Sequence, residues 1–259
     1  MTKKNTALIT GASGGIGMEL ARIHASKGND VVIVARSKEK LETLKNELES
    51  TFNITATVIA QDLSQPESAK NIYDLTQKLG LNISTLINNA GFGGHGLFHK
   101  RELAQDQAMM QVNIVSLTNL THYYLKDMIR ANNGRILNVS STASFMPGPL
   151  QAVYYATKAF VTSFSQAIAE EVREFNVTVT ALCPGTVATD FVATGNLEGL
   201  DAWKNAKSAA SVAKIGYRDM EAGKLVSFNE RGLKFMLNWL TPLLPRSVVL
   251  KMSRSFMEK

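Results

Sequence analysis

Tyr154 and Lys158 stand four residues apart in Tyr154-Tyr155-Ala156-Thr157-Lys158, a spacing that puts both side chains on one face of a helix. The pair suits proton transfer. A free phenol, with a pKa of about 10, gives up its proton poorly near neutrality, and a neighbouring ammonium lowers that value by stabilising the phenolate. Alone, Tyr-x-x-x-Lys is common on helices and carries no function. Ser141 adds to it by following the strand-like run Arg135 to Val139, at the end where open α/β sheets hold their ligands. Its hydroxyl can bind a carbonyl oxygen. Ser140 is adjacent, so register leaves the choice between the two serines open.

A second group of residues points to phosphate. Thr10-Gly11-Ala12-Ser13-Gly14-Gly15-Ile16-Gly17 connects an apolar run to a helical pattern. Glycines at such a turn permit close backbone approach, and the free amides of the helix start favour a pyrophosphate. A tight connection is the alternative for a glycine-rich turn taken alone. The end of the second strand then bears on the cofactor. An NAD site places an acid there, roughly 20 residues after the turn, for the ribose 2′-hydroxyl, whereas an NADP site needs a cation. Here Ala35 is followed by Arg36, with Ser37 and Lys38 able to assist. A guanidinium binds two phosphate oxygens at once, so NADPH is favoured over NADH.

These residues require a scaffold, and the chain supplies a repeating one. Apolar or β-branched runs at Ala7 to Ile9, Val31 to Val34, Thr55 to Ile59, Ser84 to Ile87, Arg135 to Val139 and Val177 to Leu182 alternate with helical patterns. The latter are Ile16 to Lys27, Lys38 to Leu48, Glu67 to Leu79, Gln105 to Arg130 and Val153 to Phe175. The alternation predicts an α/β fold: a doubly wound parallel sheet of about seven strands in three α/β/α layers, because parallel strands need crossover helices. Beyond Pro184-Gly185 the pattern loosens. A helix over Ser208 to Glu221, a short strand at Lys224 to Phe228 and a terminal stretch Leu233 to Met257 are expected. Residues 1–259 read as one Rossmann-fold domain. A substrate lid is expected at about 189–215, its most mobile part Thr189 to Trp203, and a C-terminal extension at about 229–259.

Composition narrows the setting. The sequence has 45% hydrophobic and 19% charged residues, as expected of a globular protein. It lacks an apolar run long enough for an export signal or a membrane span, and its single cysteine, Cys183, suits a reducing compartment. A cytoplasmic location is expected. The net charge of +6 is spread out: Lys3-Lys4 is short, and Lys38 to Lys45 is interrupted by Glu39 and Glu42, which reads as a solvated helix face. Nucleic-acid binding is not expected.

Taken together the motifs resemble the short-chain dehydrogenase/reductase family in its single-domain, NADP-preferring form, closely from Thr6 to about Thr189. In order they are the turn Thr10 to Gly17, Asp62, Asn88-Asn89-Ala90-Gly91, Asn113, Ser141, Tyr154, Lys158, and Pro184-Gly185 with Thr189. The resemblance implies an NADP-dependent enzyme acting on CH–OH/C=O groups. In it Tyr154 donates a proton, Ser141 orients the carbonyl, Lys158 holds the nicotinamide ribose and depresses the tyrosine pKa, and Asn113 maintains a water relay. It further implies that NADPH/NADP+ lies against Gly11, Ser13, Gly14 and Ile16 at the pyrophosphate and Arg36 at the 2′-phosphate. Asp62 and Leu63 would meet the adenine, Asn89, Ala90 and Gly91 the adenosine ribose, and Pro184, Gly185, Val187 and Thr189 the nicotinamide, together with Tyr154 and Lys158. Many NADPH-preferring members carry a second basic residue where this chain has Gly14, which leaves Arg36 to carry most of the discrimination. The family is commonly dimeric or tetrameric, so a homodimer or homotetramer is expected.

Phe92, Phe98, Phe145, Met146, Leu150, Phe191, Val192 and Trp203 fall where this fold surrounds the nicotinamide. As pocket residues they imply an apolar, lipid-like or cyclic carbonyl substrate. His24, His95, His99 and His122 lack metal-ligand spacing and read as structural or surface groups, so no metal is expected. Cys183 reads as a small core residue. The apolar stretch Leu233 to Arg246 is expected to pack over the substrate pocket, a subunit contact being the alternative; membrane contact is not expected, although this tail leaves it open. The principal alternative to a carbonyl reductase is a catalytically silent NADPH-binding sensor or scaffold of the same fold, against which the intact set Asn113, Ser141, Tyr154 and Lys158 argues.

Overall fold

In the computed structural model, which describes residues 5–258, Val31-Val32-Ile33-Val34 forms strand β2 (Val31–Ala35) with all four side chains buried. Successive side chains of a strand point to opposite faces. Val31 and Ile33 accordingly enter one core and Val32 and Val34 another. The neighbouring β1 (Thr6–Thr10) divides in the same way, with Ala7 and Ile9 in the first core and Leu8 in the second. A sheet apolar on both faces needs helices on both, and these are present. The basic pair Lys3-Lys4 lies outside the described residues.

The chain continues through α1 (Gly15–Ser26), α2 (Lys38–Phe52), β3 (Ala56–Ala60), α3 (Ser68–Lys78), β4 (Ile83–Asn88), α4 (Leu103–Met110), α5 (Leu117–Arg130), β5 (Gly134–Val139), α6 (Ala152–Glu171) and β6 (Val177–Leu182). It ends in β7 (Val187–Ala188), α7 (Phe191–Thr194), β8 (Lys207–Ser208), α8 (Ala209–Glu221), β9 (Val226–Ser227), α9 (Arg231–Phe235) and α10 (Arg246–Met257). Seven strands pair in the order β3-β2-β1-β4-β5-β6-β9, every pair parallel. Leu8 of β1 sits between Val32 of β2 and Leu86 of β4. The order reverses at β1, and the crevice beyond β1 and β4 is the switch point at which such sheets bind ligands.

Local chemistry sets the helix ends. The Ser37 side chain accepts from the Lys40 amide to open α2, which closes on Asn53 in the left-handed region at φ 52°; Ser208 caps α8 through the Ser211 amide. Leu41, Leu44 and Leu48 form the buried stripe of α2. On the α1/α2/α8 face, His24 and Tyr217 join α1 to α8 through a 2.8 Å hydrogen bond, while the other ring nitrogen of His24 lies 3.2 Å from the Asn5 carbonyl. Burial pushes this imidazole down to about 4.

Two expectations change in detail, and the terminal stretch gains detail. The helix read over Gln105 to Arg130 is interrupted by a wider, π-type turn, Gln111–Ser116, of the kind that often marks a functional position. The lid expected at about 189–215 overlaps helix α8: Val212 and Ala213 are fully buried in the core, so the irregular segment stops at Lys207–Ser208. The terminal stretch is two helices, because Pro242 and Pro245 deny it continuous backbone hydrogen bonding. Among the described residues no helix is long and apolar enough to cross a membrane, and no group of three or more His, Cys, Asp or Glu side chains is placed to hold a metal.

Candidate active site

One cleft of about 940 Å³ runs from the ends of β1 and β2 to the C-terminal helix. Its floor is tied together by side chains that bond to backbone. Thr10 Oγ1 accepts from the amides of Asn89 and Ala90, both at 3.0 Å, and Asn89 Nδ2 donates to the carbonyls of Thr10 and Gly11 at 3.0 and 3.1 Å. Gly11, at φ +66°, has no room for a side chain: a Cβ would stand 2.8 Å from Asn89 Nδ2 and 2.9 Å from Ala90 Cα. At Gly17 a Cβ would collide with both the Gly11 carbonyl and the Asn89 amide. Behind this clasp Asn88 Nδ2 donates to Thr121 and Asn138, and Asn138 donates to Ser165, all buried.

The donor set at this end fits a dinucleotide. The first turn of α1 has neither a side-chain cap nor an acidic residue, which leaves its amides for a phosphate. Gly11, Ser13, Gly14 and Ile16 line the cleft there, and so do Asn89, Ala90 and Gly91. Arg36 is exposed at the end of β2, beside Ser37. Lys38 is not part of the lining; Lys40 is, one helical turn after Arg36. Asp62 and Leu63 close this end. The Ser64 amide, 2.9 Å from Asp62 Oδ1, holds that carboxyl below its usual range, with a smaller contribution from the Arg36 charge.

Ser141, Tyr154 and Lys158 line the middle of the cleft. Ser141 begins the turn Thr142–Phe145, its Oγ accepting from the Ala143 amide at 3.1 Å. Ser140, the other candidate, is engaged elsewhere, donating to the Lys158 carbonyl and lying 2.6 Å from Thr162 Oγ1. Tyr154 and Lys158 share a face of α6, with the ammonium 5.8 Å from the phenol ring centre. Lys158 Nζ donates to the Val139 carbonyl at 2.9 Å, and burial lowers its pKa to about 8. Burial pushes the Tyr154 phenol well above its ordinary value, and a hydrogen bond with Ser141 offsets part of that rise. Desolvation is the largest influence on this phenol. Asn113 stands behind the cleft wall on the π-type turn. It accepts from the Phe92 amide at 3.2 Å and donates to the Phe92 carbonyl and to Thr157 at 3.0 and 3.1 Å.

Pro184, Gly185, Val187 and Thr189 also line the cleft, joined by Thr186. Of the expected substrate residues, Phe92, Phe191 and Trp203 reach the cleft, whereas Phe145, Met146 and Leu150 do not. Phe145 turns away to pack against Phe228, the two rings tilted and 5.3 Å apart centre to centre. Met146 backs Tyr154 and Tyr155 from outside. Leu150, at φ 69°, packs with Leu197, Leu200 and Met257. Val192 belongs to that same cluster, and Phe98 is 62% exposed. Gln151, Tyr155 and Met257 take their places. Met257 arrives from α10, its carbonyl 2.7 Å from His95 Nε2 and its sulfur 3.2 Å from Gln151 Nε2. No local pattern marks Met257, since only the return of the C-terminal helix brings it to the cleft. Cys183 is buried beside Thr162 with a raised pKa, an inert thiol.

The model of the short chain dehydrogenase family matches residues 5–198. A very-long-chain 3-oxoacyl-CoA reductase from Homo sapiens is 35% identical over 193 residues, a match covering 71% of this chain and 59% of that protein. A 3-oxoacyl-acyl-carrier-protein reductase from Aquifex aeolicus is 32% identical over 187 residues, 72% of this chain and 75% of that one. The chain therefore matches less than two thirds of the length of its human relative. Among solved structures, a short-chain dehydrogenase from Sphingobium yanoikuyae in complex with NADPH has a TM-score of 0.83 at 26% identity over 92% of each chain. A 7β-hydroxysteroid dehydrogenase has a TM-score of 0.86 at 25% identity over 96% of each.

Proposed function

This chain belongs to the short-chain dehydrogenase family, and on that footing we propose that it is an NADPH-preferring reductase converting an apolar ketone or aldehyde to an alcohol. The observation that carries the reading is a single cleft with Ser141, Tyr154 and Lys158 at its centre and Arg36 at its cofactor end. Bound NADPH supplies the hydride. The negative charge that then builds on the carbonyl oxygen is met by donors already in place, which stabilises the transition state more than the ground state. Ser141 donates to that oxygen and orients it. Tyr154, kept protonated by its burial, delivers the proton from Oη. Lys158 offsets the phenolate left behind. Asn113 acts one step back, holding Phe92 and the loop after β4 in register. The NADPH preference rests on Arg36, with Lys40 beside it, and on the absence of an acid at the end of β2. The apolar substrate class rests on Phe92, Phe191, Trp203 and Met257 at the other end of the cleft.

A screen of aldehydes, cyclic ketones and 3-oxoacyl thioesters with NADPH and NADH tests the reading in wild type and Tyr154→Phe. Turnover that needs Tyr154 is expected. NADPH binding without any Tyr154-dependent turnover would replace the enzyme by a sensor. Arg36→Ala is expected to lower the NADPH-over-NADH preference by roughly tenfold or more, since a hydrogen bond to a charged group contributes about 1.5–3 kcal/mol. An unchanged preference in that variant removes Arg36 from the cofactor argument.

A further inference from the structure

The fold leaves much of the stretch Phe235 to Leu244 uncovered. Leu237 turns inward at 2% exposure and Leu233 closes over Gly185. Their neighbours Phe235, Trp239, Leu240 and Leu243 stand open at 58, 68, 48 and 81%. Nearly half of the exposed large apolar side chains among the described residues fall between 235 and 256. Helix α10 continues this surface: Val249, Ser253 and Met257 face the protein, and Leu250 and Phe256 face away at 41 and 59% exposure. Concentration of this kind marks a contact surface rather than scattered exposure.

Charge indicates the partner. Arg231, Lys234, Arg246 and Lys251 border the apolar residues, are exposed, and take part in no ion pair among the described residues. The acids of the segment are already engaged, Glu230 facing Lys207 at 4.0 Å and Glu258 pairing with Arg254 at 2.7 Å. We propose that this face, from Arg231 to Phe256, docks on an anionic phospholipid surface. The exposed apolar residues would enter the acyl boundary, the Trp239 indole would sit at headgroup level, and the four cations would meet lipid phosphates and carboxylates. A second copy of the chain fits less well. A two-fold contact sets a patch against itself, which here opposes four unpaired cations to four others with no free acid between them. With no spanning helix among the described residues, the attachment made by this face is peripheral. The proposal does not depend on which carbonyl is reduced.

The test uses the full chain and vesicles of phosphatidylcholine with or without phosphatidylserine. The chain has two tryptophans, so Trp203→Phe leaves Trp239 as the reporter. Co-sedimentation with phosphatidylserine vesicles and a blue shift of Trp239 emission are expected, both weakening as salt rises. Trp239→Ser with Leu243→Ser abolishes binding. Arg246→Glu with Lys251→Glu weakens it by tenfold or more, each cation near such a surface being worth roughly fivefold. These positions are exposed, and circular dichroism confirms that each variant is folded. Failure to bind either vesicle overturns the proposal. So does wild type that ignores lipid but runs as a dimer and becomes monomeric when Trp239 and Leu243 are replaced, because a second copy would then be the occupant.

Discussion

The two ends of the cleft are built in different ways. At the β1/β4 end the walls are backbone, clasped by Thr10 and Asn89 through four side-chain-to-backbone hydrogen bonds and packed so closely that Gly11 and Gly17 admit no Cβ. At the far end the walls are side chains carried by short pieces: the four-residue helix α7, a single turn at Asp201–Trp203, and Met257 from the end of α10. Main-chain donors held by a sheet suit a reagent of constant shape, such as a dinucleotide. Apolar side chains on short segments can be exchanged without disturbing the sheet. Ser141, Tyr154 and Lys158, the residues proposed to do the chemistry, lie between the two, on the long helix α6 and just after β5.

If that division holds, changes at the centre remove chemistry, changes at the clasp remove the scaffold, and changes at the far end alter choice. Tyr154→Phe is expected to lower kcat by roughly a thousandfold, within the usual range for removing a general acid, while fluorescence titration shows cofactor affinity unchanged; a parallel loss of affinity would mean that the centre and the cofactor end are not separable. Next in size is the seam between α1 and α8. His24 titrates near 4 when folded and near 6.5 when unfolded, so between those values the unfolded chain binds more protons and stability falls as pH falls. Urea unfolding is expected to lose up to about 3 kcal/mol between pH 7 and 4 through this group. In His24→Gln that share of the acid limb should vanish, and an identical limb in both proteins would assign the loss elsewhere. Gly17→Ala should cost about 1–3 kcal/mol by overpacking the clasp, measured as a lowered urea midpoint together with weaker cofactor binding. Met257→Ala has the smallest expected effect: a change of roughly tenfold in kcat/KM for bulky against small ketones, the scale of a few methylenes in an apolar pocket, at constant cofactor affinity. An equal change for every ketone would show that Met257 supports the fold rather than selecting substrate.

The sheet and the motifs that line the cleft were legible because their signals are local. A run such as Val31 to Val34 declares a strand buried on both faces through its own side chains, and a Gly-x-x-x-Gly-x-Gly turn declares its backbone demands within a few residues. Tyr154, Lys158, Ser141 and Arg36 could be placed because each sits at a fixed distance from a strand or helix end. Register left Ser140 and Ser141 equivalent, the resemblance chose Ser141, and packing agrees, since Ser140 turns inward to the Lys158 carbonyl and Thr162. The apolar end of the cleft resisted for the opposite reason. Phe145 and Phe191 are equally apolar in sequence, yet one packs against Phe228 and the other lies 5.3 Å from Tyr154, ring centre to ring centre.

The sequence by itself determined the α/β order, the glycine-rich turn after β1 and the cation at the end of β2, which follow from covalent neighbours and short-range periodicity, and the resemblance of its motifs singled out Ser141, Tyr154 and Lys158. The tertiary structure alone decided which apolar side chains face the cleft and which face solvent. It brought Met257 back over Gln151, and it buried Tyr154 so deeply that desolvation, a property of everything around the phenol, is the largest influence on it.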